Sequence, residues 1–211
     1  MEIENRRDAA IDWILNAQKA TDDGGVSAYY DINSGYAKTS YPEVTGYIIP
    51  TMFDIYKLTD DRKYFKAAIE MTDWITEVQL KDGSVTSMDF QTPYVFDTGQ
   101  DISGWVRAYK ENGNEEYKKA AEKAGSWLVD IQREDGSFPL TPYNNSTHTY
   151  HARVSWMLLQ LYKLTGNEKF KNTATKNLDW ALTVQKENRW SVPTEVEITH
   201  FIAYAGRGLL E

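Results

Sequence analysis

The chain has 211 residues, 41% of them hydrophobic, which suits one globular domain with a substantial core. Its net charge of −8 and pI near 5.0 argue against nucleic acid or an anionic membrane as the main partner. Cysteine is absent, which excludes disulfides and thiolate metal sites. The N-terminus is charged, and no apolar run approaches the roughly 20 residues that cross a bilayer. We therefore expect a soluble, cytoplasmic protein without a signal peptide.

The first element of the chain introduces a pattern that recurs along its whole length. Trp-x-x-x-x-Gln occurs first at Trp13 and Gln18 and again 61 residues later at Trp74 and Gln79. Two further copies, Trp127/Gln132 and Trp180/Gln185, follow at intervals of 53 residues. Around the third copy, apolar residues recur at helical spacing with lysines on the opposite face. This periodicity predicts an amphipathic outer helix in each repeat.

A second repeated feature, a tyrosine followed by a short polar turn, precedes each later outer helix. Tyr56, Tyr109 and Tyr162 are also 53 residues apart, and each is followed by a short polar turn. The segments before these tyrosines are more uniformly apolar and are predicted to form buried inner helices. The inner-to-outer turns are a few residues long, as in antiparallel helix pairs. The return connections, near residues 21–43, 81–96, 133–147 and 186–198, are long. We therefore predict a single domain, 1–211, with all long loops at one end.

This organisation resembles the α/α-toroid proteins. The stretch "KAGSWLVDIQREDGSF" is similar to the QW repeat of the terpene cyclase/mutase family, with Trp127, Gln132 and Gly136 matching and Phe138 where Trp is usual. In that family the glutamine and the aromatic residue tie a helix end to the neighbouring repeat. The resemblance therefore implies an all-α fold, an incomplete α/α toroid of four helical hairpins, and a structural role for the repeat.

The segments between the repeats resemble a different branch of the toroids. "YPEVTGY", "VFDTGQ", "HTYHARVSW" and "ITHFIAYAGRGLLE" look like the six-hairpin carbohydrate-active proteins, which include unsaturated glucuronyl hydrolases, polysaccharide lyases and glucuronyl C5-epimerases. The acidic DxDD-type motif of class II terpene cyclases is absent, which makes a terpenoid cyclase relative the least favoured function. Prenyltransferase zinc chemistry would need a cysteine. The resemblance implies an enzyme of the glycoside hydrolase, polysaccharide lyase or uronate epimerase type.

Candidate functional residues lie where the repeats differ, at the starts of the inner helices. All three histidines of the chain fall in these segments. The predicted catalytic residues are Glu43, Asp97, His151 and His200. The predicted substrate-binding residues, which supply aromatic stacking, hydrogen bonds and carboxylate pairing, are Tyr47, Gln100, Trp105, His148, Tyr150, Arg153, Trp156, Tyr204 and Arg207.

Each of these residues also has a structural interpretation. Glu43 and Asp97 could cap helices, because an acidic group there meets free N–H groups and the positive end of the helix dipole. The aromatic residues could be ordinary core residues. A histidine metal site formed by His148, His151 and His200 is conceivable. Without cysteine or an H-E-x-x-H pattern, however, we predict neither a metal nor another cofactor.

Taken together, the residues favour a carbohydrate-active protein that acts on an acidic, uronate-containing glycan. Hydrolysis would use Glu43 and Asp97 as the two carboxyl groups across the scissile bond. Elimination or epimerisation would use His151, His200 and a tyrosine, with Arg153 or Arg207 holding the substrate carboxylate. The alternative is a non-catalytic toroid fragment that binds a glycan or a protein partner.

The number of repeats leads to a prediction about assembly. Six-hairpin toroids close with twelve helices, whereas this sequence supplies eight. An open array exposes apolar inner-helix surface, so a homodimer is expected, with residues 1–18 and 198–211 as the contact surfaces. No nucleic-acid or membrane partner is expected.

Overall fold

The computed structural model describes residues 2–139, 148–186, 189–190 and 199–211. Their architecture is helical, with two short antiparallel hairpins in the connections. In chain order the elements are α1 (Glu2–Lys19), β1 (Tyr30–Asp31), β2 (Tyr36–Ala37), α2 (Pro42–Thr59), α3 (Arg62–Glu77), α4 (Val95–Asn112), α5 (Glu115–Ile131), a 3-10 turn (Thr149–His151), α6 (Ala152–Thr165), α7 (Glu168–Thr183), β3 (Gln185–Lys186), β4 (Arg189–Trp190) and α8 (Thr199–Leu210). The even-numbered helices are the inner ones.

The turns from inner to outer helices are three copies of one structure. Each of α2, α4 and α6 ends on a residue in the left-handed region, whose backbone N–H donates to the carbonyl of Tyr56, Tyr109 or Tyr162. Glycine fills that position in two of the turns, because it carries no Cβ penalty there. The next outer helix then begins at an Asp or Asn whose side chain accepts from a backbone N–H two residues on. Two consecutive capping residues therefore define the turn of each antiparallel pair.

Three of the four repeated glutamines, Gln18, Gln79 and Gln132, tie neighbouring repeats together. The Nε2 of Gln132 donates to the carbonyl of Gly136 in its own loop, at 3.0 Å, and to that of Thr173 on the next outer helix, at 2.8 Å. Gln79 and Gln18 bond in the same way to the carbonyls of Ala120 and Ala67. Because one amide satisfies a loop and a helix at once, these residues hold the scaffold, as the sequence predicts.

A glycine completes each of these loops. Gly83 has a φ of +97°, and a Cβ there would collide with the backbone of Lys123 on the next outer helix. Gly136 has a φ of +89° and lies equally close to Lys176. Only a glycine permits both the backbone conformation and the close approach, so the loop is pressed onto the neighbouring repeat.

The inner helices pack closely along an arc from α2 to α8. Gly46 and Gly99 occupy the same position in α2 and α4, and each faces a side chain of the next inner helix, Asp101 and Val154. Across the arc, the Tyr204 ring of α8 stacks near Tyr47 of α2, with centroids 6.4 Å apart. The four inner helices therefore converge on one axis. The predicted all-α fold, an incomplete α/α toroid, is confirmed.

None of the described helices is long and apolar enough to cross a membrane.

Candidate active site

A cavity of ≈ 250 Å³ lies at the end of the array that carries the long loops. Its walls come from the first turns of α2 and α4, from the 3-10 turn and from α8. Polar and aromatic side chains share the lining, which consists of Tyr41, Glu43, Tyr94, Phe96, Asp97, Tyr150, His200, Phe201 and Tyr204. The starts of all four inner helices therefore meet at this cavity, and we treat it as the candidate active site.

Two carboxyl groups from neighbouring inner helices line the cavity. Glu43 lies in the first turn of α2 and Asp97 in the first turn of α4. The residues at the two N-cap positions are Tyr41 and Tyr94, and neither makes a side-chain capping bond. Instead, the Tyr41 hydroxyl donates to Oδ2 of Asp97 at 2.8 Å. Capping alone therefore does not account for Asp97, because its carboxyl group also bonds across to the neighbouring repeat.

Burial shifts the acidity of this pair. The pKa of Asp97 is raised well above its ordinary value, first by burial and then by the negative charge of Glu43. The pKa of Glu43 is also raised by burial, but its hydrogen bonding with Tyr41 and the positive charge of Arg153 oppose that shift. Asp97 is only 2% exposed. The more buried Asp97 therefore holds a proton more tightly than Glu43 does.

A third carboxyl group, that of Asp101, lies one helical turn below Asp97. It is fully buried against Gly46, and neither of its oxygens has a hydrogen-bond partner among the described residues. Burial raises its pKa well above the ordinary value, and the charges of Asp97 and Glu43 raise it further. The equivalent residues in the flanking inner helices are Ile48 and Val154. An apolar position of the repeat therefore carries a buried carboxyl group here.

The side chain of Arg153 is enclosed by aromatic rings beside the cavity. Its guanidinium carbon lies 4.9 Å from the ring centroid of Tyr47, 5.0 Å from that of Tyr204 and 5.7 Å from that of Trp156. Its Nε donates to Oε1 of Gln100 at 2.9 Å. Ring faces attract a cation electrostatically, so these side chains hold a positive charge beside the cavity, and of them only Tyr204 lines it.

The histidines are divided between the cavity and the core. His200 lines the cavity, with its ring 4.4 Å from that of Phe201 and 5.6 Å from that of Tyr204. His148 is fully buried, and its ring stacks on that of Tyr150 at 4.5 Å. His148 therefore supports a lining residue without lining the cavity.

The predicted catalytic position of His151 requires correction. His151 is fully buried beside Phe138, and neither ring nitrogen has a partner among the described residues. Burial lowers its pKa to about 3, and the nearby His148 adds to that shift. Its backbone belongs to the 3-10 turn before α6, which directs the ring into the core instead of the cavity. In this conformation it cannot reach a substrate.

Trp105 requires the same correction. It is fully buried, and its indole Nε1 donates to the Thr76 hydroxyl of α3 at 2.8 Å, which ties an inner helix to an outer one. Trp156 and Arg207 contact each other, with the guanidinium 5.0 Å from the ring, but neither lines the cavity. Trp105 therefore belongs to the core, as its structural interpretation stated.

Sequence reasoning did not select Tyr94, Phe96 and Phe201, which also line the cavity. A signal existed for Tyr94, because it follows Tyr41 by 53 residues and both directly precede an inner helix. The part of the chain that the structure describes contains no group of three or more His, Asp or Glu residues arranged to hold a metal ion.

The fold and the carboxyl pair define a class, the α/α-toroid proteins of the six-hairpin glycosidase type. Similar solved structures include a family 76 α-mannanase of Bacteroides thetaiotaomicron (15% identity, TM-score 0.67, 93% of this chain and 59% of that one). They also include an ent-copalyl diphosphate synthase of Streptomyces platensis (18%, 0.63, 89% and 35%) and an unsaturated glucuronyl hydrolase specific for heparin (14%, 0.53, 82% and 68%). At these identities the likeness shows the fold alone.

The family itself is shown by sequence. The model of the β-L-arabinofuranosidase GH127 catalytic domain matches residues 1–129, and the chain belongs to this family. The matched segment contains the carboxyl groups of Glu43, Asp97 and Asp101. The predicted recognition as a toroid of the glycosidase type is thereby confirmed. No curated protein matches the chain. The chain spans less than two thirds of the mannanase structure and about a third of the synthase structure.

Proposed function

We propose that this chain cleaves glycosidic bonds in the cavity between α2 and α4. The observation that carries the proposal is the pair of carboxyl groups, Glu43 and Asp97, that neighbouring inner helices present to one cavity with unequal burial. Glycosidases use two carboxyl groups on either side of the scissile bond, one as acid and one as base or nucleophile. Membership of a family of glycosidase catalytic domains supports the same chemistry.

The two carboxyl groups have distinct proposed roles. Asp97 acts as the general acid, because burial and the adjacent charge raise its pKa and keep it protonated. Glu43 acts as the base or nucleophile, because the positive charge of Arg153 favours its ionised form. The Tyr41 hydroxyl orients the Asp97 carboxyl through its 2.8 Å hydrogen bond. His200 and the aromatic residues of the lining contact the sugar.

The proposed substrate is a neutral sugar, with a β-L-arabinofuranoside as the first compound to test, since the matching family model carries that name. The cavity, at ≈ 250 Å³, lies below the range of about 300–1,000 Å³ that drug-sized ligands occupy, which fits a single terminal sugar. Among the described residues, no Arg or Lys lines it. A substrate carboxylate would therefore face two acidic side chains without an Arg or Lys on the described wall.

A uronate-containing glycan is the second candidate, as the sequence predicts. Arg153 supports this second candidate, because its positive charge acts on Glu43 at the cavity. Within the described residues, the Arg153 side chain contacts one amide and three aromatic rings. Tyr204 both lines the cavity and contacts this guanidinium. Elimination and epimerisation are less favoured, because they relied on His151 as base.

A substrate panel tests the proposal. The protein is incubated with synthetic β-L-arabinofuranosides, other neutral glycosides and oligouronates, and both new reducing ends and the ultraviolet absorbance of unsaturated products are recorded. We expect reducing ends from a neutral glycoside and a loss of at least a hundredfold in Glu43→Gln and Asp97→Asn. Glu77→Gln, a change of an exposed carboxylate on α3, is the matched control. A folded protein that releases nothing from any neutral glycoside contradicts the proposal.

The predicted assembly also remains a proposal. A homodimer through residues 1–18 and 198–211 would cover exposed apolar side chains such as Ile3 and Leu210. Sedimentation at low micromolar concentration distinguishes a dimer from a monomer. We propose no nucleic-acid or membrane partner, since the net charge of −8 opposes both.

A further inference from the structure

A second recess lies on the other side of α2, away from the carboxyl pair. It has a volume of ≈ 610 Å³ and is bounded by α1, the β1–β2 hairpin and α2. Glu43 faces the candidate active site, whereas its neighbour Val44 and Ile48, one turn further along, form the floor of this recess. We call it the hairpin groove. Helix α2 separates it from the carboxyl pair, so the two sites are distinct.

Exposed aromatic side chains surround the hairpin groove. Trp13 of α1 is 60% exposed and Tyr36 of β2 is 73% exposed, and Tyr29 and Tyr30 are also exposed. The Trp13 and Tyr30 rings meet edge to face, with centroids 5.9 Å apart. Rings that served only the core would be covered, so four uncovered rings beside one recess indicate a binding surface.

The hairpin that carries three of these rings is held firmly. Backbone bonds join Ala28 to Thr39 and Lys38 to Tyr29, and the Ser27 hydroxyl donates to the carbonyl of Lys38 at 2.8 Å. A further backbone bond links Ser27 to Ala17 of α1. The rings are therefore presented on a rigid frame, which lowers the entropic cost of binding a ligand.

The chemistry of the groove identifies the kind of ligand. None of the described lining residues carries a charge, although the chain has a net charge of −8. The exposed side chains combine an apolar ring with a polar group, namely the indole N–H of Trp13 and the tyrosine hydroxyls, and the Asn16 amide lies beside them. A neutral ligand with apolar faces and many hydroxyl groups matches this surface.

We propose that the hairpin groove binds a neutral oligosaccharide. The sugar rings of the ligand stack on Trp13 and Tyr36, and the sugar hydroxyls form hydrogen bonds with the polar edges of the groove. A second protein chain fits less well, because the aliphatic residues Ile14, Val44 and Ile48 are half-buried in the floor while the exposed residues are amphipathic aromatics. The volume is more than twice that of the candidate active site, which suits several sugar units. The inference follows from the groove itself and does not depend on hydrolysis.

Titration followed by nuclear magnetic resonance tests the proposal. The full chain with Asp97→Asn, which removes turnover, is titrated with neutral arabino- and manno-trisaccharides and with tri-galacturonate. The indole N–H signal of Trp13 is assigned from Trp13→Phe. We expect a neutral trisaccharide to shift this signal, and Tyr36→Ala to weaken the binding roughly tenfold. Leu58→Ala, at an exposed position in the last turn of α2, should leave the affinity unchanged.

Three outcomes would overturn the inference. The first is a Trp13 signal that no neutral trisaccharide shifts. The second is a preference for tri-galacturonate over the neutral sugars. The third is a Trp13 signal that shifts with protein concentration alone, together with a dimer in sedimentation that Tyr36→Ala abolishes. Both results together would mean that the groove binds a second copy of the chain. A shifted Trp13 signal in a protein that cleaves no glycoside would contradict the proposed hydrolysis but support the groove.

Discussion

The hydroxyl of Tyr41 and the carboxylate of Asp97 are joined by a 2.8 Å hydrogen bond between the starts of two neighbouring inner helices. The donor precedes α2 and the acceptor lies in α4, so the bond spans the boundary between two repeats. The same tyrosine position in the next repeat, Tyr94, also lines the cavity. A scaffold position thereby becomes part of the candidate site.

The first prediction concerns this hydrogen bond. The bond to Tyr41 favours the ionised form of Asp97 and lowers its pKa, so Tyr41→Phe should raise the pKa of Asp97 further. If Asp97 is the general acid, activity requires its protonated form, and the alkaline limb of the pH profile of kcat/KM should move to higher pH. Tyr109→Phe, which removes a hydroxyl bonded to Glu115 on the outer side, should leave the profile in place. A limb that moves to lower pH would assign the acid role to another residue.

The second prediction concerns the buried acid below the site. Asp101→Val should stabilise the protein at pH 7 by about 1–3 kcal/mol, because it removes an unsatisfied buried carboxyl group. The repeat indicates that valine fits, since Val154 packs against Gly99 as Asp101 packs against Gly46. Thermal unfolding at several pH values measures the change.

The pH dependence of that change has a definite sign. The folded-state pKa of Asp101 is raised above the unfolded value. Below the unfolded pKa its contribution to stability is therefore least unfavourable. The contribution becomes more unfavourable as the pH rises from the unfolded pKa towards the folded one. The advantage of Asp101→Val should accordingly shrink as the pH falls towards 4. An advantage that grows on acidification would mean that Asp101 is ionised in the folded protein.

The third prediction tests the structural role of the repeated glutamine. Gln132→Ala removes the donor that the carbonyls of Gly136 and Thr173 share, although Asn177 Nδ2 still donates to the Gly136 carbonyl. The change should cost about 1–3 kcal/mol of unfolding free energy. Affinity for glycans should not change in the folded fraction. Gln185→Ala is the matched control, because the Gln185 side chain is exposed and makes no hydrogen bond within the described residues. Lost binding at full stability would place Gln132 in a site instead.

The sequence predicts the scaffold well because the scaffold is repeated. A glutamine that bonds to a loop and a helix recurs at a fixed spacing, and so do the turn after Tyr109 and the glycine of each loop. Because the copies share the same pattern, the order of the helices and the placement of the loops can be predicted from a single sequence. The position of Asp97 near a cavity follows in the same way, from its place at the start of an inner helix.

The direction of individual side chains is less predictable. His151 and His200 both lie near inner-helix N-termini, yet one ring is fully buried and the other lines the cavity. His151 ends the 3-10 turn at Thr149–His151, whereas His200 lies in the first turn of α8. Trp105 shows the same limit, since its indole finds a partner on α3. Spacing places a residue on an element, and packing decides which way it points.

The last prediction concerns His151, whose ring is buried without a partner among the described residues. Burial lowers its pKa from 6.5 to about 3, so the folded protein keeps it neutral while the unfolded chain protonates. Its contribution to stability is therefore present above the unfolded pKa and is lost as the pH falls from about 6.5. His151→Phe, which keeps an aromatic ring beside Phe138, should reduce the acid-induced loss of stability between pH 6.5 and 4. Denaturant unfolding across that range measures the effect, and an identical pH dependence in both proteins would show that His151 protonates without unfolding.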